Sequence, residues 1–79
     1  MYYVYRLQSL SHPNQKYTGF TANIKERLES HNNGQVSHTS KYKPWKILNY
    51  FVFFDEKKAK AFEKYLKSGS GRAFAQRHF

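Results

Sequence analysis

The sequence predicts a small α+β domain. Three observations carry that prediction. Two segments rich in aromatic and β-branched residues lie either side of a turn cluster, two stretches place apolar residues at helical spacing, and a nearly continuous apolar run of strand length lies between those stretches.

Residues 2–8, "YYVYRLQ", have the β-branched and aromatic content of a strand. Ser11, Pro13 and Asn14 supply turn signals, and residues 16–21, "KYTGFT", read as the returning strand of a hairpin. A symmetric hairpin centred near Ser11 sets Tyr5 opposite Tyr17 and Tyr3 opposite Gly19. Residues 23–33 read as a helix with an Ile24–Leu28 stripe, a cap at Thr21 or Asn23, and Gly34 as its stop. Residues 34–46 read as a basic, polar loop. Residues 47–54, "ILNYFVFF", are the strongest strand signal, and apolar residues on both parities predict burial on both faces over part of it. Asp55 is suited to cap a second helix over 56–68, with the stripe Ala59, Phe62 and Leu66. Gly69 and Gly71 then break the chain, before a short basic helical turn in the tail.

Seventy-nine residues are the length of one small domain, taken here as 1–79. Fourteen Lys and Arg against five Asp and Glu give a formal charge of +9, which favours a polyanionic partner, with nucleic acid first. No apolar run approaches a membrane span, and no basic amphipathic helix stands apart from the core pattern, so a membrane partner is not expected. The N-terminus carries no charged segment followed by an apolar core, and cysteine is absent. Both fit an expectation of a reducing cytoplasm. The same lack of cysteine, with four scattered histidines, argues against a zinc site.

A few residues have two readings. Glu63 alone among the acidic residues falls beside an apolar stripe. It is either a partner for a basic neighbour or a single-carboxylate Mg²⁺ ligand. Arg27 and His31, four apart, flank the Ile24–Leu28 stripe and are partly sheltered from water. Arg27 is a solvated or paired helix residue, or a phosphate clamp with a planar, always-charged fork. His31 is a helix C-terminal charge, where the dipole favours the imidazolium, or a proton acceptor beside Arg27. Tyr5 and Tyr17 are strand packing residues unless they converge with these three. Lys41, Lys43, Lys46, Arg72 and Arg77 are candidate phosphate contacts, which add salt dependence without reading sequence.

"YVY" at 3–5, "YTG" at 17–19, the arginine helix "ERLESHNNG", the strand "KPWKILNYFVFF" and the glutamate helix "AFEKYLKSGSGR" come in an order and spacing that resembles the GIY-YIG nuclease family, in particular its small stand-alone bacterial members. The resemblance runs over roughly residues 2–78 and implies a three-stranded antiparallel sheet flanked by helices. It also implies hydrolysis of DNA phosphodiester bonds with one divalent ion, Mg²⁺ or Mn²⁺. Its site residues match Tyr5, Tyr17, Arg27 and Glu63 here. Glu63 matches the metal ligand, Gly19 the motif glycine, and His31 a histidine of some branches. The chain departs from the pattern at Tyr3, Val4, Thr18 and Phe20, and at Ala75, where other members carry asparagine.

No dedicated base-reading helix is visible, so weak sequence preference or direction by DNA structure is expected. RNA is a possible partner, and self-association or a partner protein would supply further specificity. The alternative is a nucleic-acid-binding module on the same fold with weak or no turnover. At Gly19, a side chain is expected to crowd the phosphate or Tyr3.

Overall fold

The computed structural model describes residues 1–78. Strand β1 (Tyr2–Ser9) turns through residues 10–15 into β2 (Lys16–Thr21). Helix α1 (Ile24–Asn32), the short α2 (Ser37–Ser40) and strand β3 (Trp45–Phe53) follow. Helices α3 (Glu56–Lys67) and α4 (Gly69–His78) complete the chain. The strands form one antiparallel sheet in the order β2-β1-β3, as the resemblance implies.

The hairpin register differs from the symmetric expectation by two residues. Tyr5 pairs with Gly19, Leu7 with Tyr17, and Tyr3 with Thr21. The cause lies in the turn. The Ser9 amide donates to the Gln15 carbonyl at 3.0 Å, and the Gln15 amide to His12 at 2.8 Å, so the hairpin centres on His12. A shift of two keeps side chains on their faces, so Tyr5 and Tyr17 still share one.

Alternation along the strands divides the core. Tyr5, Leu7 and Trp45 pack with Ile24 and Leu28 of α1 on one face. Val4 packs with Ala59, Leu66 and Ala75 of α3 and α4 on the other. Of the two candidate caps for α1, Thr21 and Asn23, it is the Asn23 side chain that accepts from the Glu26 amide at 3.1 Å, and the predicted Asp55 cap accepts from Lys57 at 2.8 Å.

Three further expectations change. The 34–46 segment contains the one-turn α2, and β3 begins at Trp45. The Asn32 side chain brackets Trp45, accepting from its amide at 2.6 Å and donating to its carbonyl at 3.2 Å. Partial burial on both parities is confined to residues 47–49 of β3; beyond it Tyr50 and Val52 are exposed, while Phe51 and Phe53 pack on Phe62. The glycines after α3 do not end helical structure, because Ser68 starts α4 by accepting from the Gly71 amide at 3.1 Å through its hydroxyl. Gly71 lies so close to the Tyr65 carbonyl and to Leu66 Cα that a Cβ there has no room. Phe79 of the predicted tail lies outside the described residues.

Candidate active site

Register and helix phase bring Tyr5, Tyr17, Arg27 and His31 together on the α1 face. Tyr5 is 1% exposed, and its hydroxyl lies 2.9 Å from His31 Nε2. Arg27 Nε donates to the same oxygen at 3.3 Å. The Tyr17 ring lies 5.0 Å from the His31 ring and 6.3 Å from that of Tyr5. Tyr17 also helps to raise the Arg27 pKa, so the one guanidinium is bonded to Tyr5 and interacts with Tyr17.

Gly19 is what lets the cluster close. A Cβ at Gly19 would meet the Tyr5 hydroxyl, with Tyr5 Cζ at 2.5 Å and Tyr17 Cε2 at 2.9 Å. The crowding expected there against Tyr3 or a phosphate falls instead on the two tyrosines, because Gly19 is the cross-strand partner of Tyr5.

Protons can be followed through the network. The Thr39 hydroxyl donates to the Val36 carbonyl at 3.3 Å, which leaves its oxygen to accept from His31 Nδ1 at 2.7 Å. With its proton on Nδ1, His31 presents Nε2 as an acceptor to Tyr5 O–H. Tyr5 oxygen then accepts from Arg27 Nε. Thr39, which sequence reasoning missed among the many hydroxyls of its loop, is held in turn by Trp45 Nε1 donating to its carbonyl at 3.0 Å.

Electrostatics follow from burial. His31 is fully buried, and burial, reinforced by the positive charge of Arg27, lowers its pKa to about 4. It is therefore neutral, and the imidazolium expected from the helix C-terminus does not form: desolvation outweighs the dipole. Burial pushes Tyr5 up to about 12; the Arg27 hydrogen bond pulls it down, and charge on Tyr17 and Glu63 pushes it up. Arg27 is raised, chiefly by its bond to Tyr5.

Glu63 approaches from the other side. Its helix α3 packs on the opposite face, yet Lys67 reaches past the edge strand β2 and sets Nζ 5.8 Å from the Tyr17 ring centroid. Lys67 pairs with Glu63 at 3.1 Å, the basic partner that one reading of Glu63 anticipated. The Glu63 side chain is 22% exposed and its charge is felt at Tyr5. Among the described residues, no group of three or more His, Cys, Asp or Glu could enclose a metal.

The basic candidates scatter. Arg72 lines a cleft that shares Tyr17 with the cluster. Lys41, Lys43, Lys46 and Arg77 are exposed and line neither that cleft nor the smaller hollow beside Arg27. Sequence reasoning missed Arg6, Lys16 and Lys67. For Lys67 the signal was its place four residues after Glu63. For Arg6 it was a cation on the Val4 parity of a strand, which buries it to 6% exposure.

The model of the GIY-YIG catalytic domain matches residues 1–76. The chain belongs to the GIY-YIG family. A GIY-YIG domain is a nuclease-type fold, its members are generally endonucleases, and they typically depend on a divalent metal. No curated protein matches the chain. No helix among the described residues is long and apolar enough to cross a membrane.

Proposed function

We propose that this GIY-YIG protein is a divalent-metal-dependent endonuclease that hydrolyses DNA phosphodiester bonds. The observation that carries the reading is the convergence of Arg27, Tyr5, Tyr17 and His31 on one face: Arg27 donates to the Tyr5 hydroxyl at 3.3 Å, the Tyr17 ring lies 5.0 Å from that of His31, and the Glu63 charge is felt at Tyr5. A guanidinium has five N–H donors, so Arg27 keeps donors for a phosphate after bonding Tyr5 through Nε. Its raised pKa keeps it charged as negative charge develops on the phosphate.

Tyr17 is half-buried whereas Tyr5 is sealed, so Tyr17 is the hydroxyl that a solvent water reaches. In its phenolate form, with its charge balanced by the Arg27 guanidinium, Tyr17 orients the attacking water, takes its proton to become the neutral phenol, and leaves hydroxide to attack the phosphorus. Tyr5 passes its own proton bond to neutral His31 and so turns its oxygen lone pair toward Arg27. Tyr5, His31 and Thr39 thus fix the arginine rather than exchange protons with the substrate.

Glu63 suits one Mg²⁺ or Mn²⁺. Mg²⁺ keeps several waters and takes one or two carboxylates plus phosphate oxygens, which suits a single, largely sheltered carboxylate whose charge is felt at Tyr5. Such an ion, when bound, polarises the phosphate and stabilises the leaving oxygen.

The test is nicking of supercoiled DNA with either metal. Tyr17→Phe is expected to abolish nicking while DNA binding persists. Failure of the parent protein to cut single-stranded, duplex or branched DNA with either metal would refute the reading. The Glu63–Lys67 ion pair favours a second reading, a binding module without turnover. That reading predicts salt-sensitive binding, no cleavage, and indifference to Glu63→Ala.

A further inference from the structure

A cleft of about 560 Å³ lies where the start of β2 meets the end of α3 and the first turns of α4. Four cations line it: Arg6, Lys16, Lys67 and Arg72. Among the described residues, no carboxylate does. Arg6 is the most deeply set, at 6% exposure. The cleft wraps the edge of β2. Lys16 and Arg6 belong to the α3 face of the sheet, whereas Tyr17 belongs to the face of the tyrosine–arginine centre.

Three properties narrow the ligand. The cationic lining calls for an anion, and a guanidinium fork fits phosphate oxygens. Two rings stand in the wall: Tyr17 and His38, with centroids 6.1 Å apart. Rings beside phosphate-binding cations are how unstacked bases are held. The amide side chains of Asn14 and Gln76 also line the cleft, and amides offer both a donor and an acceptor to a base edge.

Shape decides between paired and unpaired DNA. A duplex is read by convex elements that enter its grooves. A concave site of a few hundred Å³ is instead the size that encloses a small ligand (~300–1,000 Å³), and a base enters one only after leaving the stack. Tyr17 lines the cleft and also belongs to the centre, so an occupant of the cleft touches the residue proposed to activate the water and adjoins the phosphate proposed for Arg27.

We infer that this cleft binds one unpaired nucleotide of the cut strand, immediately beside the scissile phosphate. The inference rests on the nuclease reading of the Tyr17–Arg27 centre and narrows its substrate to single-stranded DNA, or to junctions with an unpaired step at the cut.

The test is binding without turnover. Fluorescence anisotropy of a labelled short oligo(dT), and of a blunt hairpin duplex of equal charge, is measured with the full chain in chelator at low salt. Lys16→Ala/Arg72→Ala removes two exposed cations of the cleft. Lys57→Ala/Lys58→Ala removes two exposed cations at the outer start of α3, away from it. The cleft pair is expected to weaken oligo(dT) binding by roughly tenfold or more, the effect of losing charged hydrogen bonds, and the outer pair by far less. Duplex binding is expected to fall to a similar extent in both variants, as diffuse attraction requires. Equal loss of oligo(dT) binding in the two variants would overturn the inference. So would a cleft-pair variant with a lowered urea midpoint, if a milder Arg72→Lys/Lys16→Arg variant restored folding without restoring selectivity for oligo(dT). If the cleft pair behaves as expected but the parent cuts nothing with either metal, the nuclease reading fails alone. If the parent cuts and the cleft pair binds and cuts like it, the cleft inference fails alone.

Discussion

Replacing Gly19 with alanine probes the centre where it is tightest. The added Cβ would sit 2.5 Å from Tyr5 Cζ and 2.9 Å from Tyr17 Cε2. Carbon atoms in contact rest at about 3.5–4.0 Å, so the Tyr5 phenol must retreat by about 1 Å. Tyr5 is sealed on all sides, so that retreat compresses its neighbours. It also stretches the 2.9 Å bond to His31 and the 3.3 Å bond from Arg27 beyond hydrogen-bond range. Overpacking of about 1–3 kcal/mol and loss of a charged hydrogen bond of about 1.5–3 kcal/mol together cost about 2.5–6 kcal/mol. A domain of ~5–15 kcal/mol survives this in part, so the variant is measurable. The assay is the urea midpoint, read as a double-mutant cycle with Tyr5→Phe. Tyr5→Phe removes the nearest clashing atom, so it should cost less in the Gly19→Ala background than alone, with a coupling of about 1 kcal/mol or more. An unchanged midpoint for Gly19→Ala, or two additive substitutions, would refute the proposed closure of Gly19 on Tyr5.

Two further perturbations follow. His31 titrates near 4 in the folded protein against 6.5 when free, so the unfolded chain takes up its proton first as pH falls. The stability tied to neutral His31 is complete above about 6.5 and drains away toward pH 4, by up to about 3 kcal/mol. Urea midpoints at neutral pH and near pH 4 should show that loss, and His31→Gln should flatten it; an equally steep loss in His31→Gln would contradict the assignment. Gly71→Ala should destabilise by more than 1 kcal/mol, roughly the overpacking range, because its Cβ meets backbone of α3 that cannot swing aside. A Gly69→Ala control, with open space around its Cβ, should not, and equal effects in calorimetry would argue against close α3–α4 packing.

How much of this was legible in the sequence depends on whether the signal was local. The caps at Asn23 and Asp55 act within three residues of themselves, and both could be read directly. The shared face of Tyr5 and Tyr17 needed only strand alternation, which survives a register shift of two. The register itself was set by the Ser9–Gln15 and His12–Gln15 turn bonds, which composition does not announce. Of the two readings of His31, the charged helix end fails because helix position predicts only a field, whereas its protonation is decided by burial under Tyr5, Thr39 and Arg27. The chain after Gly69 was misread because glycine usually punctuates, and here Gly71 marks close helix packing. The cleft was invisible because its cations come from β1, β2, α3 and α4, far apart in sequence.

The nuclease reading meets its most direct test in cleavage and binding measured side by side on one supercoiled DNA, with Mg²⁺ and with Mn²⁺. Glu63→Ala is predicted to abolish nicking with either metal while leaving DNA affinity within about threefold, since the loss of one carboxylate removes no phosphate contact. Arg27→Ala is predicted to lose nicking and to weaken binding as well. Nicking that persists in Glu63→Ala, or a parent protein that binds DNA but never cuts it, would contradict the assignment of this centre to phosphodiester hydrolysis.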